Sequence, residues 1–206
     1  KEQIVVNRKL DFQSIALLTL IAVAALLRFY GLGRMGLWGD EAFSWAQANG
    51  SLIDTLGKTS WDDHLPLYNV ILNFSIRLLG DSEAALRMSS ALLGTLAVWL
   101  TYRLGTVLWD RTTGLLAALL TTFSGFLIWH SQVARMYTLF ACTAMYFVLT
   151  TIHAARDPSP KRLVLNALAG ILLLHTHAYG SFIFAGINLF VFTALLLKKA
   201  WLRVSL

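Results

Sequence analysis

Six stretches of this chain contain no charged residue: 14–27, 88–102, 114–129, 139–152, 163–174 and 181–197. A helix needs about 20 mostly apolar residues to cross the hydrocarbon core of a bilayer. With their flanks most of these runs reach that length, and the one at 163–174 is marginal. Only 14% of the 206 residues are charged, against about 25% in soluble domains. The expected fold class is all-α: a polytopic integral membrane protein with about six transmembrane helices, forming one module over 1–206. The single cysteine, Cys142, excludes a disulfide framework and suits apolar packing. A net charge of +6 does not point to nucleic acid, because the basic residues scatter among loops. There they report membrane orientation. Lys1, Arg8 and Lys9 precede the first run. Its length, and the lack of a small-residue cleavage site in "RFYGLGRMGLW", favour a retained helix over a signal peptide.

The segment "LPLYNVILNFSIRLL", 65–79, decides the topology. It is short and contains Asn69, Asn73 and Arg77, so it can cross the membrane or lie along it. If it lies along the surface and the N-terminus is cytoplasmic, the inner segments hold 11 of the 17 Lys and Arg residues. The outer segments then hold the other 6, with 7 of the 11 acids. If it crosses, "HAARDPSPKR" and "KKAWLR" move outside, against the positive-inside tendency. The interfacial assignment therefore holds. It places an outer loop over 31–85 with two surface helices. One starts near Asp40, which can cap it, and stops at Asn49-Gly50. The other runs from Pro66 to Gly80.

This topology gathers nearly all residues capable of chemistry at the outer helix ends: Asp40, Glu41, Asp62, Asp63, His64, Arg87, His130, Gln132, Arg135, Tyr137, His175, His177 and Tyr179. The six runs carry no ionisable group of the kind that proton and ion pathways need. Each outer residue also has a plainer explanation. Asp40 and Glu41 suit the first turn of any helix, through its dipole. Arg87 and Arg135 suit snorkelling anchors, and the Trp and Tyr residues an interfacial belt. His175 and His177, two apart, point about 200° away from each other on a helix, which does not suit a shared metal.

Four ordered segments change that balance: "GLWGDEAFS", "DDHLPLYNVIL", "GDSEAALRMSSALLG" and "HSQVARMYTLF". Together they resemble the N-terminal region of the GT-C membrane glycosyltransferases of family 39 type. The likeness is to bacterial relatives of protein O-mannosyltransferases and aminoarabinose transferases. The resemblance implies sugar transfer from a polyprenyl-phosphate donor to a lipid, glycan or protein acceptor at the extracytoplasmic face of the inner (plasma) membrane. Membrane lipids would surround the protein, and nucleic acid would have no part. Asp40 and Glu41 map onto the catalytic acidic pair. Arg87 and Arg135 map onto donor-phosphate binding; His64, Tyr68, Gln132 and Tyr137 onto substrate binding. No cofactor is required by the likeness, which leaves open a divalent metal on Glu41 with Asp63 and His64. Relatives carry more helices and often a soluble domain, so the chain is expected to be their N-terminal portion.

The residue types suit this chemistry on their own account. A glycosidase needs two carboxylates because an alkoxide leaving group requires an acid. A sugar phosphate leaves as a stable anion, so one carboxylate can suffice as base toward the acceptor hydroxyl. Asp40 is the expected base, with Glu41 orienting it, and guanidinium groups match phosphate oxygens. Two rival readings are a non-catalytic module that binds a lipid-linked glycan or assembles with a partner, and, less favoured by the charge-free spans, a transporter.

Overall fold

The computed structural model describes residues 11–60 and 65–204, which among them form ten helices and no strand. The helices are α1 (Phe12–Phe29), α2 (Gly39–Ala48), α3 (Leu52–Ser60), α4 (Pro66–Leu79), α5 (Glu83–Leu108), α6 (Arg111–Phe123), α7 (Gly125–Ser131), α8 (Tyr137–Arg156), α9 (Pro160–Leu174) and α10 (Gly180–Val204). Four are long and apolar enough to cross a membrane: α1, α5, α8 and the Gly180–Leu197 part of α10. The expected span at 114–129 is broken. Ser124 ends α6 and starts α7, and the two axes bend by 63°, making a fifth candidate span only as a pair. The expected fifth span, α9, has 15 residues and a length of about 22 Å at 1.5 Å per residue, short of a full crossing. It still joins the two ends of the bundle. Arg162 at its start meets Asp157, and the carbonyl of His175 at its end accepts from Leu67 N–H at 3.2 Å.

Large apolar side chains lie on the outside of the bundle, among them Leu26, Leu120 and Phe190, as hydrocarbon surroundings permit. The interior is held instead by small residues and close approach. α5 lies at the centre and packs against α1, α4, α6, α7 and α8. Where it meets α6 the backbones nearly touch: a Cβ on Gly105 would sit 2.8 Å from the Cα of Gly114. Where it meets α7, a Cβ on Gly94 would sit 2.7 Å from the Cβ of Ser131.

One end of the bundle carries α2, α3 and α4. α4 spans the expected residues, starting with Pro66 in its first turn and stopping at Gly80, whose φ of 83° suits glycine. The expected start of α2 is corrected. Trp38 occupies the N-cap position and Asp40 lies inside the first turn, so Asp40 does not cap the helix. The loop expected to carry two helices carries three, because α3 lies between α2 and α4. α3 starts with a reciprocal Ser51–Asp54 cap: Asp54 N–H donates to Ser51 Oγ, and Ser51 N–H to Asp54 Oδ2, each at 3.1 Å. Buried amides bind the three helices together. Asn73 Nδ2 donates to the Ala48 carbonyl (2.7 Å), the Gly50 carbonyl (3.0 Å) and Thr55 Oγ1 (3.2 Å), and Asn69 donates to Gln47. These asparagines, one turn apart, face α2 and α3 rather than lipid.

The other end holds the turns between α5 and α6 and between α8 and α9. Asp11 and Asp110 cap α1 and α6 there, accepting from Ser14 and Thr113 N–H. Arg111 bridges to Asp11 at 2.7 Å.

The charge-free run 14–27 is extended in α1 by one charged residue. Arg28 lies in the last turn of α1 and is fully buried. It pairs with no carboxylate among the described residues. Its guanidinium donates to the Ala24, Thr121 and Thr122 carbonyls at 2.9–3.3 Å. The last two belong to the final turn of α6, whose carbonyls the break at Ser124 leaves without helical partners. The negative end of the α6 dipole further favours a cation there.

The tight contacts of α5 yield a stability prediction. Gly105→Ala and Gly94→Ala should each destabilise the protein by about 1–3 kcal/mol through overpacking. Gly186→Ala, which meets nothing within 4 Å, should not. Thermal unfolding of the purified variants in one detergent checks the difference.

Candidate active site

The acidic pair divides between two environments. Successive residues on a helix point about 100° apart, so Asp40 and Glu41 cannot share a face of α2. Glu41 is fully buried, whereas the Asp40 side chain is 52% exposed. Glu41 forms a two-pronged ion pair with Arg87 of α5: Nε donates to Oε1 at 2.8 Å and Nη2 to Oε2 at 2.6 Å. The N–H of Ala134 adds a third bond to Oε1 at 2.8 Å, and the N–H of Trp38 lies 3.4 Å from Oε2. Both oxygens of Glu41 thus face N–H donors, an environment unlike that of a metal ligand. Among the described residues no three His, Cys, Asp or Glu side chains group to hold a metal. Asp63 and His64, expected beside Glu41 in such a site, lie outside the described residues, as does Asp62.

Arg87 is engaged on every side. Nη1 donates to the carbonyls of Leu32 and Met35 at 2.7 and 2.8 Å, and Nη2 also to that of Gly36 at 3.1 Å. With Glu41, these acceptors account for all five N–H groups of a guanidinium. The residue expected to bind a donor phosphate is therefore, in this structure, fully committed to the segment that joins α1 to α2.

Arg135 is placed differently. It lies in the turn between α7 and α8, buried beneath Asp40. Its Nη1 donates to Ser44 Oγ at 3.0 Å and to the Asp40 carbonyl at 3.3 Å, while Nη2 lies 4.0 Å from Asp40 Oδ2. Asp40 is thus an exposed carboxylate held over a buried cation. The turn that supplies Arg135 is fixed from three sides. Gln132 Nε2 donates to the carbonyls of Leu27 and Tyr30, both at 3.0 Å, Ala134 N–H meets Glu41, and Ser90 Oγ donates to the Arg135 carbonyl at 3.3 Å.

A cavity of about 250 Å³ opens beside the ion pair. Met35, Trp38, Trp129 and Val133 give it an apolar wall, with Glu41 and Arg87 on its inner side. The rings of Trp38 and Trp129 lie with centroids 6.2 Å apart and planes tilted by 46°. A narrow polar crevice on the other side of Arg135 is bordered by Ser44, Tyr68 and Thr176.

Of the residues expected to meet substrate, Gln132 borders the aromatic cavity while its amide holds the end of α1. Tyr68 is buried in the cluster with Leu72, Leu86 and Leu139, and its hydroxyl lies 3.1 Å from Ser90 Oγ. Burial pushes the Tyr68 hydroxyl up to about 12, so it stays protonated at neutral pH. Tyr137 opens α8 and packs edge-on to the His130 ring at 4.6 Å. His175 and His177 make separate contacts, with the Ile171 carbonyl and with Tyr179 N–H. Sequence patterns missed the N–H of Ala134, the carbonyls of 32–36 and the hydroxyl of Ser44, which make up most of the frame around the pair. Backbone groups leave no residue-type signal.

No curated protein and no solved structure matches this chain. A family model for dolichyl-phosphate-mannose-protein mannosyltransferases matches residues 63–206, more than two thirds of the chain. The match includes Arg87 and Arg135 and starts after the acidic pair. Helices able to cross a membrane and a family match of this extent lead to one assignment: the chain belongs to the dolichyl-phosphate-mannose-protein mannosyltransferase family of membrane glycosyltransferases.

Proposed function

We propose that the α2–α4 end of this protein transfers a sugar from a polyprenyl-phosphate donor to an acceptor hydroxyl, with Asp40 as the general base. The observation that carries this reading is the division of the acidic pair. Glu41 is saturated by Arg87 and Ala134, whereas Asp40 stands exposed over buried Arg135. Asp40 takes the proton of the acceptor hydroxyl. The acceptor oxygen attacks the anomeric carbon, and the bond from that carbon to the phosphate oxygen breaks with its electron pair going to phosphate. A phosphate leaving group needs no acid, which agrees with a single available carboxylate. Arg135 is the cation beside Asp40 and is assigned to the phosphate. Arg87 becomes a positioning residue that acts through Glu41. The aromatic cavity between Trp38 and Trp129 is a suitable place for an apolar part of a substrate.

The charge distribution supports an extracytoplasmic site. The far end of the bundle carries Arg103, Arg111, Arg156, Lys161 and Arg162 at or beside its turns, the pattern of a cytoplasmic face. The α2–α4 end then faces outward. An inner-membrane location follows from the same reading.

Two variants of adjacent residues separate catalysis from folding. Asp40→Asn should lower transfer by about 10²–10⁴-fold, the usual contribution of a general base, with unchanged thermal stability. Wild-type turnover in this variant, measured with a lipid-phosphate sugar donor, rejects Asp40 as the base.

Glu41→Gln leaves the Arg87 charge buried without its partner and should cost about 3–5 kcal/mol of stability. Arg87→Lys should also destabilise, because an ammonium offers three donors where the site has five acceptor positions. Thermal unfolding of both variants beside Asp40→Asn tests this ordering.

A further inference from the structure

At the end of the bundle away from the acidic pair, a groove of about 270 Å³ runs between α8 and α9 and is lined by Thr150, His153, Arg162 and Leu165. His153 and Arg162 form its rim. Thr150 and Leu165 lie one turn further along α8 and α9, toward the middle of the bundle. The groove is thus cationic at the helix ends and mostly apolar within, the polarity of an amphiphile standing in a leaflet.

The rim has donors to offer. Arg162 uses Nη1 on Asp157, at 2.6 Å from Oδ2, and on the carbonyls of Asp157 and His153 at 3.2 and 3.4 Å. Its Nε and Nη2 meet no acceptor among the described residues, and neither does the His153 ring. The adjoining turn, residues 156–162, carries three cations and one anion. Arg156 extends from it to the Val107 carbonyl at 2.9 Å, and Lys161 is exposed. Two guanidinium nitrogens beside an imidazole, above an apolar slot, match a phosphodiester with an acyl chain below it. Asp157 works against this match by holding part of the Arg162 charge.

We infer that the groove between α8 and α9 binds the phosphate headgroup of an anionic phospholipid, held by Arg162 and His153, with an acyl chain along Leu165. This site is separate from the acidic pair and does not depend on the proposed reaction. In the proposed orientation it faces the cytoplasmic leaflet, where anionic lipids attract basic segments.

The test uses the full chain in nanodiscs containing either phosphatidylcholine alone or phosphatidylcholine with phosphatidylglycerol. Retention of phosphatidylglycerol through delipidating washes is read by mass spectrometry. The wild type should retain it in preference to phosphatidylcholine. Arg162→Gln should lower retention about tenfold, the effect of losing a charge-assisted hydrogen bond. Asp157→Asn should raise retention, since it frees the guanidinium, and this variant keeps the test decisive if Arg162→Gln folds poorly. Arg103→Gln, at the same end but over the Trp99 ring, should leave retention unchanged. Equal retention in wild type, Arg162→Gln and Asp157→Asn overturns the site. Full competition by millimolar inorganic phosphate would show a free-anion site and overturn the lipid assignment.

Discussion

The contact between Glu41 and Arg87 determines the shape of one whole end of this protein. It draws together the segment after α1, the start of α2, the second turn of α5 and the turn before α8, which are remote in sequence. A buried charge is costly unless it is paired and hydrogen-bonded. Here every donor of the guanidinium has an acceptor, and both carboxylate oxygens have donors. Such a pair adds little net stability over an apolar substitute. Its effect is on specificity: a planar fork with five fixed N–H directions admits only one arrangement of the carbonyls of Leu32, Met35 and Gly36. The wall of the aromatic cavity is built from that same segment.

Arg28 solves the problem of a buried cation in another way. With no carboxylate to meet among the described residues, it takes the carbonyls that lack helical partners at the end of α6 and so makes the break at Ser124 tolerable. The break redirects the chain so that α7 lies against α5 at Gly94, with Trp129 turned toward Trp38 and the Gln132–Arg135 turn delivered to Glu41. A straight helix through 111–131 would carry Trp129 and this turn away from α2. The two arginines thus have linked parts: one sets the direction of α7, and the other receives the turn that α7 brings.

Much of this architecture was visible in residue types alone. The spans at α1, α5, α8 and α10 follow from apolar runs, and both ends of α4 from Pro66 and Gly80. The gathering of polar residues at one end followed from the distribution of loop charge. The missed features have definite physical causes. α3 was overlooked because its sequence "LIDTLGKTS" is only moderately apolar, although "SLID" carries the cap signature that starts it. The break at Ser124 lies in a run of uniform hydropathy, where periodicity cannot register a change of direction. Arg28 sits one residue past an apolar run, where a lone arginine resembles a snorkelling anchor; only the position of the α6 terminus shows that it turns inward. Arg87 and Arg135 look equivalent as isolated cations near helix ends. What distinguishes them is the partner each meets, buried Glu41 for Arg87 and Ser44 with exposed Asp40 for Arg135, a pairing that no residue pattern encodes.

The adjacency of Asp40 and Glu41 has its own physical meaning. Two carboxylates sharing a face would repel, and one would be driven to hold a proton. Consecutive helical positions avoid that by sending one side chain inward and the next outward, about 100° apart. Glu41, anchored to Arg87, fixes the rotation of α2 about its axis, and with it the direction in which Asp40 points. Ser44, one turn on, and Arg135 beneath then fix Asp40 from below. A proposed base on an exposed first turn would otherwise be among the least ordered groups of a membrane enzyme. Here its direction is set by a buried residue one position away, so the orientation of the site is inherited from the core.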